Sequence, residues 1–231
     1  MGYLSRRVFS VQFPVSSVLR RLTWLWFCVL LFAPSSADAQ PTVGPIPNFV
    51  VDARGSLARF KKDEAVASAL QVGVETLPTR GLGVTLGGHW YVLHSRRITI
   101  GIGGEMILAG DSRSVEMEDA TVVAPTVTTR FSGFAPQISF NFGRDEGWSY
   151  ISGGLGTARL TTERDDVATV DTAARTRMLN YGGGARWFNT PRLAFTFDVR
   201  FYAISPRAAT ATVPAYPRAK FTVLSGGVAF K

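Results

Sequence analysis

From residue 48 onward the chain is a succession of stretches in which apolar residues alternate with polar or small ones, and their spacing restricts the fold more than any other feature. A period of two is that of a β-strand, whose successive side chains leave opposite faces. Eight such stretches fall near 48–60, 79–92, 97–110, 130–143, 148–160, 177–188, 193–203 and 219–230. The clearest are "RITIGIGGEMILAG", with Ile98, Ile100, Ile102, Met106 and Leu108 on one face, and "LAFTFDVRFY", with Leu193, Phe195, Phe197, Val199 and Phe201 on one face.

The connections carry as much information as the strands. "LHSR" (93–96), "RDEG" (144–147) and "NTPR" (189–192) are short and polar, whereas 61–78, 111–129, 161–176 and 204–218 are long, and the two kinds alternate throughout. Strands joined in this rhythm close most simply into an up-and-down barrel with every short turn at one end and every long loop at the other. The expected fold is all-β, an eight-stranded antiparallel up-and-down transmembrane β-barrel over 48–231.

The face that looks outward follows from what each face carries. The apolar set is too aromatic and continuous to leave in water. The other set carries Asp52, Arg54, Glu105, Arg186, Asp198 and Arg200 among glycines such as Gly87, Gly103, Gly154 and Gly184. Glycine suits a crowded lumen because it leaves room for long side chains, so the charged set is placed inside. Trp90, Phe142 and Trp187 then fall on the outer face close to the short turns, where an interfacial aromatic girdle lies in membrane barrels. Alternation points Trp148 and Tyr150 inward.

The first 39 residues read as an export address. Arginines stand at 6, 7, 20 and 21, the apolar run "LTWLWFCVLLFA" covers 22–33, and Ala37-Asp38-Ala39 forms an A-x-A cleavage site. That run is shorter than the about 20 residues of a spanning helix. The expected division is 1–39 signal peptide, 40–47 short periplasmic leader and 48–231 barrel. Cleavage removes Cys28, the single cysteine, so the mature chain has neither disulfide nor thiol chemistry. It also removes four arginines and one aspartate, leaving a mildly basic chain. Its basic residues are dispersed and no recognition helix accompanies them, which speaks against nucleic-acid binding.

The signal peptide, the eight alternating strands, the loop rhythm and the closing "FTVLSGGVAF" (221–230) together resemble the eight-stranded outer-membrane barrels of the OmpA and OmpX type. The resemblance covers 48–231 and implies residence in the outer membrane of a Gram-negative type bacterium. It also implies short turns facing the periplasm, long loops facing outside, a monomer, and contact with outer-membrane lipid and lipopolysaccharide. The terminal aromatic Phe230 resembles the signal read by the barrel-assembly machinery, although Lys231 follows it where the family usually ends on the aromatic. No peptidoglycan-binding domain follows the barrel, so cell-wall anchoring is not implied.

No catalytic site, cofactor or metal centre is expected. His89 lies on an inward strand face and His94 in a short turn, both at the end opposite the long loops, and no two histidines share a strand face. Glu116, Glu118 and Asp119 gather in one long loop, and Glu163, Asp165, Asp166 and Asp171 in the next. Such groups suit either solvated loop charge or divalent cations bridging lipid phosphates. Inside, Glu105 is expected to be the central acceptor of an ion-paired core, meeting Arg54, Arg200 or both, with Asp52 and Asp198 taking the remaining cations. Two functions are compatible with this pattern. One is a plugged barrel with a structural or surface-interaction role, and the other is a narrow pore for small solutes or ions. Eight strands leave an interior about wide enough for side chains to fill, which favours the first. The A-x-A site predicts a mature protein that begins at Gln40 and fractionates with the outer membrane. Mass spectrometry of the mature terminus checks this, and an intact Met1 in the inner membrane would refute it.

Overall fold

The computed structural model describes residues 44–95, 97–115, 124–166, 175–206, 208 and 218–231. Eight antiparallel strands follow one another around a closed barrel in chain order. They are β1 (Phe49–Arg59), β2 (Arg80–His94), β3 (Thr99–Ser114), β4 (Thr126–Arg144), β5 (Gly147–Arg164), β6 (Thr176–Phe188), β7 (Leu193–Ile204) and β8 (Ala219–Phe230). Closure is made by β8 on β1, from Val51 opposite Phe230 to Arg59 opposite Thr222. Each stretch of alternating residues is a strand, in the order the connection lengths demand. The signal segment 1–39 lies outside the described residues.

The strands outrun the apolar alternation at the long-loop end. The β3–β4 ladder continues to Ser114 opposite Thr126, and β4–β5 to Val127 opposite Arg164. Here the inter-strand contacts are polar: Ser112 and Thr128 hydroxyls lie 2.9 Å apart, and those of Thr129 and Thr162 3.1 Å. Backbone pairing needs no apolar face, so the ladder persists where the alternation ends. At the other end the β2–β3 register slips between Tyr91 and Leu93. The extra residue keeps His94, expected in a turn, within β2.

The first long connection is not plain loop. It holds a helix, α1 (Glu64–Ala69), and a 3₁₀ turn over Val74–Thr76. Asp63 starts α1 by accepting hydrogen bonds from the Ala65 and Val66 amides at 3.0 and 3.2 Å. Val66, Ala67 and Leu77 then pack on Val127 beside the long-loop mouth. A helix of 6 residues is too short for a 3.6-residue period to stand out in the sequence.

The lumen is filled in layers. Near the long loops, Phe60, Phe131, Tyr202 and Phe221 form a ring cluster with centroids 4.7 to 5.5 Å apart. Near the short turns, Tyr91 meets Trp148 edge-on at 5.9 Å, and Trp148 stacks on Phe188 at 5.0 Å. The segment before β1 joins this second layer, for Ile46 is buried among Val50, Trp148 and Ala194. Its carbonyl lies 2.9 Å from His94 Nε2, which donates to it, and the Gly44 carbonyl accepts from the Asp145 amide at 3.2 Å. Lys231 ends on the same turn. Its ammonium pairs with the Asp145 carboxylate, donates to the Asp145 carbonyl at 2.9 Å, and stands 4.0 Å from the centre of the Phe188 ring.

The outer wall is apolar. Trp90 and Trp187 are 65% and 58% exposed near the short turns, with Phe142 exposed beside them, while Trp148 and Tyr150 are buried inside. Phe197 sits mid-strand on this outer face, between Ala185 and Gly226. Phe197→Arg is expected to lower stability by about 2 to 4 kcal/mol in lipid vesicles, whereas a polar change at lumenal Gln137 is mild. Refolding titrations measure both, and equal tolerance at the two positions would mean that the faces are inverted.

Candidate lumenal ion-pair site

Asp52 and Arg54 stand two apart on β1, Glu105 on β3, Arg186 on β6, and Asp198 and Arg200 two apart on β7. A spacing of two on a strand keeps both members of each pair on one face. All six point inward and none is more than 5% exposed. Space for them comes from the small residues opposite. Gly87 separates Asp52 from Glu105 across β2, and a Cβ there would lie 2.8 Å from an Asp52 carboxylate oxygen. Gly184 faces Asp198, and a Cβ there would lie 2.8 Å from the Tyr150 hydroxyl.

The six side chains form one connected cluster of three guanidinium and three carboxylate groups. Arg54 touches all three carboxylates, with Nε 2.7 Å from Asp52, Nη2 2.6 Å from Glu105 and Nη1 3.3 Å from Asp198. Its planar fork suits this, since each nitrogen faces a different acceptor. Arg200 bridges Glu105 at 3.2 Å and Asp198 at 2.9 Å, and Arg186 donates to Asp52 at 2.8 Å. Glu105 therefore meets both Arg54 and Arg200, but it does not stand alone as an acceptor. Asp198 is equally engaged, and the most connected member is Arg54. Burial of an ion is repaid only when its partners are close and its remaining hydrogen-bonding capacity is met. Here the partners are close and the charges sum to zero, while Asp52 Oδ1, Arg54 Nε and Nη1, Arg186 Nε and Arg200 Nη1 make no directed hydrogen bond among the described residues.

Three residues complete the site that the charge pattern did not single out. The Tyr202 hydroxyl donates to Glu105 at 2.7 Å, the Tyr150 hydroxyl donates to Asp198 at 2.8 Å, and Ser152 accepts from Arg200 at 2.8 Å. Arg186 also lies over the Tyr150 ring, 4.2 Å from its centre. Alternation reaches all three, because it points Tyr150 inward, Ser152 is two residues from Tyr150, and Tyr202 is two from Arg200.

The other candidates are placed as follows. His89 is buried in the lumen, where neither ring nitrogen has a protein partner among the described residues; the ring lies over Gly103, where a Cβ would stand 2.6 Å from it. Gln137 and Asn180 likewise bury amide groups without a protein partner among the described residues. Of the acidic residues expected in the third long loop, Glu163 lies instead in the extended end of β5, where it pairs with Arg130 at 3.7 Å; Asp166 pairs with Arg164, and Asp165 accepts from the Thr126 amide at 2.8 Å. Glu116, Glu118, Asp119 and Asp171 lie outside the described residues. Among the described residues no group of three histidines, cysteines or carboxylates is arranged to hold a metal ion.

Glu105→Gln keeps the size of the side chain but removes the charge shared by Arg54 and Arg200. The variant is expected to lose on the order of 3 to 5 kcal/mol of unfolding stability, the magnitude for a buried pair robbed of one partner. Urea titration in vesicles measures it, and an unchanged midpoint would show that these charges are separately hydrated.

No family model matches the sequence, and no curated protein does. Solved structures do. Neisserial surface protein A is 12% identical with a TM-score of 0.50, over 80% of this chain and 97% of that one. The attachment invasion locus protein Ail of Yersinia pestis is 13% identical, with a TM-score of 0.42, over 79% and 96%. The outer-membrane enzyme PagL is 12% identical, with a TM-score of 0.44, over 76% and 97%. The likeness to the neisserial protein is one of fold, and the chain has the architecture of the eight-stranded outer-membrane barrels.

Proposed function

We propose that the protein is a monomeric, plugged barrel of the bacterial outer membrane, exported by a signal peptide ending at Ala39 and serving a structural or surface-interaction role through its long-loop end. The observation that carries this reading is the neutral cluster of three arginines and three carboxylates, held between two layers of aromatic side chains. A permeation path needs charges that water can reach, and these six are spent on one another. The apolar outer wall supports membrane residence, and the tryptophans beside the short turns support placing those turns at an interface. Phe230, exposed on the outer face of the closing strand, suits recognition by assembly machinery. The capped helix α1 gives the long-loop end a shaped surface rather than loose chain.

One observation favours a narrow pore as the second reading. His89, Gln137 and Asn180 bury polar atoms in the lumen without protein partners among the described residues, and such groups call for water. Planar-bilayer recording separates the two. The plugged reading expects no steady conductance from the folded parent. A steady, resolved conductance would overturn it in favour of the pore.

A further inference from the structure

At the long-loop end of the wall formed by β8, β1 and β2, Arg59 stands directly opposite Arg80. Both side chains face outward and are exposed. Like charges directly opposed on one sheet face repel. Elsewhere at this end the exposed Arg130 pairs with Glu163, the part-buried Arg164 pairs with Asp166, and Arg113 donates to the Glu75 carbonyl. Among the described residues no carboxylate lies within ion-pair reach of Arg59 or Arg80. Lys220 adds a third exposed cation on the same face, two residues beyond Thr222, the β8 partner of Arg59.

The wall below these cations is shaped. One step down, Leu57 lies between Leu82 and Leu224, and Leu82 is 75% exposed. One step further, Gly55 lies opposite Gly226, both on the outer face. A Cβ at either position would meet nothing closer than 3.8 Å, so the two glycines leave an open dent in an otherwise apolar surface. The four steps from Arg59 to Gly55 span about 13 Å of strand, or about 10 Å of depth at the tilt usual for such barrels. That places the dent within a single leaflet, whose hydrocarbon is about 15 Å thick.

We propose that this face binds a phosphorylated lipid of the outer leaflet, with a phosphate bridging Arg59 and Arg80, Lys220 beside it, and an acyl chain lying over Leu57 and Leu82 into the dent at Gly55 and Gly226. A phosphate supplies the counter-ion that the arginine pair lacks among the described residues, and two forked guanidinium groups fit its oxygens. The inference rests on the reading that the barrel is embedded in a membrane with its long loops outside.

The test titrates diphosphoryl lipid A, phosphatidylglycerol and inorganic phosphate separately into the folded full-length mature protein in a zwitterionic detergent. Bound lipid is read by native mass spectrometry and thermal unfolding by circular dichroism. The parent is compared with Arg59→Gln/Arg80→Gln and with Arg144→Gln/Arg192→Gln at the short-turn end. Diphosphoryl lipid A is expected to bind the parent and the short-turn variant alike and to raise their Tm. Its Kd for Arg59→Gln/Arg80→Gln is expected to be at least about tenfold weaker, as for loss of a charge-assisted contact. Without added lipid, the same variant is expected to be as stable as the parent or more so, because the repulsion is gone. Equal affinity of parent and variant, an equal loss in the short-turn variant, or the full Tm rise from inorganic phosphate alone would each overturn the proposal. A parent that fails to fold into phosphatidylcholine vesicles would remove the membrane reading and this one with it, whereas a parent that folds there without preferring the lipid removes this one alone.

Discussion

An eight-stranded barrel encloses a space that side chains fill, so whatever charge its inner face carries must be neutralised by other side chains of that same face. In this protein the requirement is met by three cations and three anions drawn from β1, β3, β6 and β7, with Arg54 touching every carboxylate. Much else follows from the space these groups need. Gly87 and Gly184 stand where a larger residue would collide with the cluster or the tyrosine beside it, and Tyr150, Tyr202 and Ser152 add one hydrogen bond each. The aromatic layers on either side keep it apart from both mouths.

The wall faces the opposite demand. Its outer residues are large and apolar, with tryptophan near one rim and arginine near the other. The inside is therefore polar in the middle and apolar toward its ends, while the outside is apolar in the middle and polar toward its ends. Alternating residues along one strand serve both patterns at once, which is why a period of two is so persistent here.

That persistence decides how much was legible in the sequence. The strands, their order and the inward set were open to reading because a strand repeats every second residue and a one-residue slip would expose the whole lumenal set. The membership of Asp52, Arg54, Glu105, Arg186, Asp198 and Arg200 in the lumen followed from that alternation. Their contacts did not, because heights around a closed wall depend on the stagger between strands, which no single strand records. Arg54 emerges as the hub only once β1 is set against β3 and β7. The short helix α1, the slip after Tyr91 and the burial of Ile46 were illegible for a different reason: each is a local departure supported by one or two contacts, with no repeat to announce it.

The distribution of charge among the strands has a consequence for assembly. β1 and β7 each bring a cation and an anion two residues apart, so either strand is balanced by itself. β3 and β6 bring one unbalanced charge each, Glu105 and Arg186, and their ion-pair partners lie on β1 and β7. A partly built sheet from β2 to β6 would hold both of those charges with no mate. Glu105 reaches Arg54 across β2 within the first three strands, but the partner of Arg186 is Asp52 on β1, so neutralising Arg186 waits for the closing of the seam. An open, partly inserted sheet is thus electrostatically penalised, and the finished cylinder is the first arrangement in which no lumenal arginine or carboxylate is stranded.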